Sequence, residues 1–342
     1  MTEKSFRELY EMNTSAAPVR SGGSMRVRHS VYLVLAAFFW GTTFVAQSVA
    51  MDRVEPFTYN MCRDFIGALF LLPLAIRTGR IDPLAVNYRG EAIPGITAPA
   101  EERRKNLIRG GLIVGLCMFA AGGFQQVGLV YTTAGKSGFV TALYIVLVPV
   151  FALIFFRKKC SPLVWAAVAV AVVGFFFLCV KEDFTVNKGD LITLGGSVVY
   201  ALHILSVDHF VTRTDGIQLS CFQLVFAGIL STITAFAVET PSLSAIIACA
   251  GPILYAGILS SGVAFTLQIV GQKGLNPVTA SLLMSLESVI SVLAGWIVLG
   301  DELTSKEILG CVLVFSGVIL AQIPMPGHRE KKAPQHPSAE KN

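Results

Sequence analysis

The sequence predicts an all-α integral membrane protein, with ten transmembrane helices set out as two inverted five-helix repeats. Three observations lead there. Ten apolar stretches of about 19 to 24 residues fill most of the 342-residue chain, joined mainly by connections too short to fold on their own. Apolar residues make up 54% and charged residues 14%, with a mean hydropathy of +0.65, outside the balance of a soluble domain. The stretches also divide into two sets of five. A helix rising about 1.5 Å per residue needs about 20 residues to cross a hydrocarbon core of about 30 Å, so each stretch is long enough to span.

In chain order, each expected span is an apolar run set between flanking cations. The first, 29–49, lies between Arg28 and Arg53, and the second, 57–76, ends against Arg77. The third, 107–130, follows Arg103, Arg104 and Lys105, and the fourth, 137–156, runs from Lys136 to Arg157. The fifth, 162–180, stops before Lys181, and the sixth, 190–208, starts after Lys188. Arg213 precedes the seventh, 218–238, and Lys273 separates the eighth, 251–270, from the ninth, 277–299. Lys306 opens the tenth, 305–323. What remains is an N-terminal tail over 1–28, a connection at about 77–106 and a basic tail over 325–342, with no room for a soluble domain.

Loops rich in Lys and Arg stay in the cytoplasm. With the N-terminus inside, that side holds 21 of the Lys and Arg residues and the other side five, with Arg63 inside a span. Both termini are therefore expected in the cytoplasm. The net charge of +5 sits at membrane flanks, without the aromatic-interleaved patch of a nucleic-acid surface. Seven cysteines (Cys62, Cys117, Cys160, Cys179, Cys221, Cys249 and Cys311) are scattered singly, with no CxxC spacing and no His partner, so neither a disulfide nor a metal is expected. The first apolar run is long enough to span and lacks a small-residue cleavage site, so it reads as a signal anchor. Translation from Met25 would give this anchor a compact basic flank, Met25-Arg26-Val27-Arg28; recovery of residues 1–24 by N-terminal sequencing rejects that start.

The fourth and ninth spans suggest a duplication. Placing Pro149 over Ser288, an offset of 139, superposes Gly135 on Gly274, Leu143 on Leu282, Leu147 on Leu286 and Val150 on Val289. Because five is odd, the second unit enters the membrane upside down relative to the first, the inverted-repeat plan of alternating-access carriers.

The segment from Tyr131-Thr132-Thr133-Ala134-Gly135-Lys136-Ser137-Gly138 through Leu147-Val148-Pro149-Val150-Phe151 resembles one signature of EamA-type carriers in the drug/metabolite transporter superfamily. Leu286-Glu287-Ser288 through Gly295-Trp296, followed by Leu299-Gly300-Asp301-Glu302 through Gly310, resembles its partner signature. The likeness runs over about 29–324 as two repeats, 29–180 and 190–324, with Trp40-Gly41 and Arg63 fitting the first half. Two departures stand out: Ser288 takes the place of the usual proline, and Arg157-Lys158-Lys159 replaces a Gly-Glu turn. The resemblance implies a secondary carrier of small organic solutes in a bacterial-type inner membrane, exporting amino acids or related metabolites; drugs, nucleotide precursors and sugars are alternatives, as are uptake and exchange. No Walker-type loop is present, since Gly135-Lys136-Ser137 lacks the earlier glycine, and no cofactor is expected.

Ionisable groups inside a span cost about 2.5–3.5 kcal/mol at its centre and need a partner, a wet cavity or a route out. Glu287, near the middle of the ninth span, either meets a substrate amine or coupling proton, or pins helix packing. Arg63 either snorkels to the outer interface, about six residues away, or offers its planar fork to an anion. Its neighbour Asp64 points about 100° away and is expected to pair with another helix. His203, one turn from Tyr200, is a proton-relay candidate or a packing residue, whereas Asp208 and His209 read as interfacial. Gln125, Gln126, Thr141 and Tyr144 fall at similar depth, and Trp40 and Gln268 can add a stacking surface and an amide. The expected substrate-binding set is therefore Trp40, Arg63, Gln126, Tyr144, Tyr200, His203, Gln268 and Glu287, with Glu287 and His203 as coupling candidates. Lys136 reads as an interface anchor. The pairs Gly111/Gly115 and Gly310/Gly317 signal close helix packing, within one chain or in a homodimer. The rival class is an intramembrane enzyme acting on lipid headgroups, which needs clustered His, Asp or Glu at one interface, whereas the ionisable residues here are dispersed.

Overall fold

The computed structural model describes residues 22–77, 100–132, 134–156, 161–179, 187–273, 275–299 and 304–322, and every regular element among them is helical. The first-half helices are α1 (Gly22–Met51), α2 (Pro56–Arg77), α3 (Ala100–Leu129), α4 (Ala134–Ala142), α5 (Tyr144–Phe156) and α6 (Pro162–Cys179). The second half has α7 (Lys188–Phe210), α8 (Gly216–Val238), the short α9 (Leu243–Ala248), α10 (Ala250–Tyr255), α11 (Phe265–Gln272), α12 (Pro277–Met284), α13 (Leu286–Ala294) and α14 (Ser305–Gln322). A π-helical segment, Ala256–Ala264, fuses α10 to α11, and another, Gly295–Leu299, extends α13. Among the described residues seven rods are long and apolar enough to cross a membrane, and the apolar runs Val140–Phe155 and Pro162–Phe177 are shorter. Large apolar side chains such as Phe70, Phe155, Ile233, Phe236 and Ile319 face outward, as a lipid-facing surface requires. The chain is a multi-pass membrane protein.

Nine of the ten expected spans overlap these rods and runs, and the tenth, 305–323, overlaps the apolar helix α14 (Ser305–Gln322). The third helix starts earlier than expected, at Ala100, inside the connection placed at 77–106, and its first turns carry an exposed Lys105–Glu101 pair at 2.8 Å. The 1–21 part of the N-terminal tail, positions 78–99 of the connection, the Arg157-Lys158-Lys159 and Gly300-Asp301-Glu302 turns, Cys160 and the basic tail lie outside the described residues, as do the side chains of Met25, Lys136 and Cys179.

The packing follows a regular scheme. α1 lies against the α10–α11 rod and α13, while α7 lies against α3 and the α4–α5 rod. α2 packs on the π segment of the α10–α11 rod, and α8 packs on α3. α2 and α8 also pack on each other, as do α6 and α14, and as do α4–α5 and α12–α13. Gly111 and Gly115 meet Phe222, Gln223 and Phe226 of α8, while Gly174 lies against the Gly310 carbonyl and Gly317 against Ala167 and Ala171. Both glycine pairs therefore serve contacts within one chain.

Two rods are interrupted near their middles: α4–α5 at Leu143 and α12–α13 at Ser285. The second break has no proline, and serine hydroxyls bond carbonyls around it. Ser281 Oγ donates to Val278 O and Ser285 Oγ to Leu282 O, both at 2.8 Å, and Ser288 Oγ reaches Gly138 O at 3.3 Å across to α4. At one end of the α2–α8 pair, the Glu239 carboxylate accepts from Phe57 N, Thr58 N and Thr58 Oγ, each at 2.8 Å, while Glu55 accepts from Thr240 N at 2.9 Å. Elsewhere α1 is tied to α11 by His29 Nδ1 and Val270 O at 2.9 Å, and Gln272 Nε2 donates to Ile204 O at 3.1 Å.

Candidate functional site

Both interrupted rods open onto one cavity, with about 520 Å³ of space unoccupied by protein atoms. α1 supplies Trp40, Phe44 and Gln47, α2 Arg63, α3 Gln125, and the broken fourth rod Thr141 and Tyr144. α7 supplies Tyr200, His203 and Ile204, the π segment Ser260, α11 Phe265 and Gln268, and the broken ninth rod Met284 and Glu287. Seven of the eight residues expected from sequence therefore converge. Gln126 does not: it is wholly buried on another face of α3, and its neighbour Gln125 takes the lining position. Adjacent residues on a helix point about 100° apart, so one register step decides which glutamine enters.

The carboxylate of Glu287 accepts from Tyr144 Oη at 3.1 Å, a bond that joins the two broken rods just past their interruptions. Gly41 lets α1 approach this point, since a Cβ there would lie 2.6 Å from both the Glu287 carbonyl oxygen and Ile290 Cβ. Tyr200 Oη donates to Gln125 Oε1 at 3.2 Å, and Gln125 Nε2 donates to Thr141 Oγ1 at 3.2 Å. Tyr200 also lies within electrostatic reach of both Arg63 and Glu287.

Arg63 does not snorkel. It is 3% exposed and lines the cavity, with its guanidinium carbon 5.8 Å from the Tyr59 ring centre. Its Nε lies 3.6 Å from Asp64 Oδ1, both side chains being 3% exposed, so these neighbours, expected to point too far apart to neutralise each other on one face, do form a buried ion pair. Asp64 also pairs with another element, as expected, accepting from Ser261 Oγ of the π segment at 3.2 Å. The close approach depends on Gly67, where a Cβ would meet Ser261 Cβ at 2.7 Å and Gly257 O at 2.9 Å.

An aromatic wall closes one side. Trp40 and Phe265 meet edge to face at 4.9 Å between ring centres, and His203 meets Phe265 at 6.0 Å. His203 Nε2 is 3.1 Å from Gln223 Oε1. Trp40 Nε1, Gln47 Oε1, Arg63 Nε, His203 Nδ1 and Gln268 Oε1 are buried without a hydrogen-bond partner in the protein. Since nearly all buried polar atoms are satisfied, such a set around one cavity suits a polar solute and the water that exchanges with it. Phe44, Gln47, Ser260, Phe265 and Met284 were not anticipated, although Phe44 and Gln47 share a helix face with Trp40 at i+4 and i+7, a detectable signal. Asp208 and His209, on the last turn of α7, do not line the cavity.

The fold and cavity define a polytopic carrier-like membrane protein, and comparison with known proteins gives its class. The chain matches the EamA-like transporter family twice, over residues 29–180 and 187–322, and belongs to that family. An uncharacterized transporter of Archaeoglobus fulgidus is 28% identical over 307 residues, covering 88% of each chain. The uncharacterized transporter YoaV of Bacillus subtilis is 22% identical over 296 residues, covering 84% of this chain and 94% of its own. A protein of known crystal structure superposes with a TM-score of 0.66 at 18% identity, over 86% of this chain and 96% of the other, which shows a shared fold. Family and relatives point to a membrane transporter rather than an enzyme.

Proposed function

We propose that this chain is a secondary carrier that exports small organic metabolites, amino acids foremost, by alternating access across a bacterial-type inner membrane with both termini cytoplasmic. The observation that carries the reading is the composition of the cavity: a cation, Arg63, and a carboxylate, Glu287, both within reach of Tyr200, beside an aromatic wall. A solute with a carboxylate and an amine fits those groups, Arg63 taking the first and Glu287 the second. Trp40, Tyr144, Tyr200 and Gln268 orient it, and Glu287, with His203 as relay, carries a proton when the amine is absent.

Ten spans in two inverted units, 29–180 and 190–324, are supported by the packing scheme. Numbering the rods from one to ten, the principal rod-on-rod packings recur when five is added to both partners, or map onto themselves. The two family matches fall on the same halves. In an inverted repeat the shared central site is reached from each side in turn as one bundle rocks against the other. ATP has no role in this scheme.

The test is mass spectrometry of culture medium from a bacterial host making wild type or Glu287→Ala at matched membrane levels. Export predicts one metabolite class enriched outside with wild type and lost with Glu287→Ala. Enrichment by both chains returns Glu287 to packing, and a medium indistinguishable from that of the empty host sinks the export reading in favour of uptake or exchange.

A further inference from the structure

The cavity ends against two small apolar clusters. One turn beyond its lining residues Gln47 and Arg63 lie Ala50 of α1 and Tyr59 of α2, which pack with Val54, Cys249, Ile253 and Ala256. At the other end Val207 lies one turn beyond His203, and Ile269 follows Gln268; they pack with Val211, Leu219 of α8 and Val114 of α3. The ends are opposite ones, because His29 bonds Val270 O and Gln272 bonds Ile204 O, which puts the start of α1 beside the end of α7. The clusters also correspond residue by residue. Adding 157 to Ala50 and Val54 gives Val207 and Val211, adding 160 to Tyr59 gives Leu219, and adding 139, the offset of the fourth and ninth rods, to Val114 gives Ile253. Val54 N donates to Ala50 O at 2.9 Å and Val211 N to Val207 O at 2.8 Å, so the helix exits match too. All of these residues are at most 3% exposed.

The polar fastening differs between them. The start of α8 is capped by its own Asp215, which accepts from Ile217 N at 3.0 Å and Gln218 N at 2.9 Å, and a neutral bond from Gln218 Nε2 to Ala75 O at 3.3 Å reaches α2. The start of α2 is capped instead by Glu239, from the end of α8, and its own Glu55 accepts from Thr240 N. A cap that belongs to its helix travels with it. A cap lent by another helix is lost when the two part.

We propose that the two clusters are the paired gates of the cavity, and that Glu239 and Glu55 latch the first of them, so that the empty carrier opens more readily at the second. Withdrawing Tyr59 from the first cluster takes its neighbours Phe57 and Thr58 off the Glu239 carboxylate, breaking charge-assisted bonds. Withdrawing Leu219 from the second takes Gln218 off a neutral carbonyl and leaves the Asp215 cap in place. With both termini cytoplasmic the latched gate faces outside, so the empty chain waits open to the cytoplasm, where an exporter loads. The inference rests on the alternating-access reading and adds the residues that gate it and the side that the empty chain favours.

Cys249, 3% exposed in the first cluster, is a native reporter of that gate, and Val211→Cys supplies one for the second. The full chain, in membrane vesicles of either orientation, is treated with a membrane-impermeant maleimide, and peptide mass spectrometry locates the label and follows its rate at each thiol. The gates predict that Cys249 labels from one face only and the Val211→Cys thiol from the other only. Glu239→Gln is expected to speed labelling at Cys249 and slow it at position 211, moving the ratio by about ten-fold, the range of a hydrogen bond to a charged group, because the two openings draw on one population. Thr58→Ala, which removes one of the three bonds to Glu239, is expected to shift the ratio the same way by less, and it covers the case in which Glu239→Gln does not fold. Faster labelling at both sites, or an unmoved ratio, makes Glu239 a plain structural cap and overturns the latch. Labelling of both thiols from one face, or of neither from any face, overturns the gates. Because no solute is needed, labelling from opposite faces by a chain that enriches nothing in the medium keeps the gates and rejects export.

Discussion

The fourth and ninth helical rods do the same job by different chemistry. Each is interrupted near its middle, at Leu143 and at Ser285, and each puts a cavity-lining side chain just beyond the break, Tyr144 in one and Glu287 in the other. The fourth carries Pro149 in its second segment; the ninth has no proline at its break and has three serine hydroxyls on carbonyls, two within the rod and one across to Gly138 O. A carbonyl released from a helix in lipid must find a donor, and a hydroxyl from the same or a facing helix supplies one. An opened backbone is thus a property of the local donor inventory and not of proline alone. The fourth rod is also held from outside, since Ser197 Oγ donates to Val140 O and Ser288 Oγ to Gly138 O.

The comparison breaks most readily at the bond that joins the rods. Glu287→Gln keeps the shape of the side chain and removes its charge, so its effect falls on the solute and the proton rather than on packing. Transport in reconstituted vesicles is expected to fall by about ten- to one-hundred-fold, the range of hydrogen bonds to charged groups, with protein yield retained. Tyr144→Phe removes only the other end of the bond and leaves the carboxylate in place, so a few-fold loss is expected, near the average of about 0.6 kcal/mol for interhelical hydrogen bonds in membranes. Equal losses in the two variants would show that the bond itself, and not the charge, carries the effect.

Next in size is Gly41→Ala, which acts on the ninth rod alone. A methyl group 2.6 Å from the Glu287 carbonyl oxygen and 2.6 Å from Ile290 Cβ pushes α1 from α13. Overpacking of this kind costs about 1–3 kcal/mol, so thermal unfolding in detergent is expected at lower temperature than wild type. Gly138→Ala on the fourth rod is the contrast: nothing lies within 4 Å of a Cβ there, and no loss is expected from crowding. An unfolding midpoint for Gly41→Ala equal to wild type would remove the close approach of α1 from the account.

Much of this architecture was legible because its causes are local. The length of an apolar run fixes whether a helix spans, and a carboxyl in mid-span such as Glu287 has so few places to go that its inward position follows. What stayed hidden depends on rotation and on distant partners. Gln125 and Gln126 are indistinguishable in composition, and only the phase of α3 chooses between them. Arg63 was as compatible with the outer interface as with the cavity until Asp64 and Ser261 were brought around it by α2 and the π segment. Glu239 caps the start of α2 from 181 residues away, and no periodicity announces such a partner. The π segment, which presents Ser260 to the cavity and Ser261 to Asp64, leaves no mark in hydropathy.

The smallest expected effect bears most directly on how the two breaks differ. Ser288→Ala deletes the hydroxyl that reaches Gly138 O but keeps the backbone N–H that bonds Ser285 O at 3.2 Å. Other serines still serve the break, so the cost is about 0.6 kcal/mol, read as a slight fall in the unfolding midpoint, with transport close to wild type. Ser288→Pro removes the hydroxyl and the N–H together while fixing the backbone φ at that position. If the serines already hold the break open, the proline has nothing to add, and this variant is less stable than Ser288→Ala by the lost backbone bond. If Ser288→Pro is instead as stable as wild type, the backbone at Ser285 is opened by its packing against α4 and α1, and the hydroxyls only decorate a break that the surrounding helices impose.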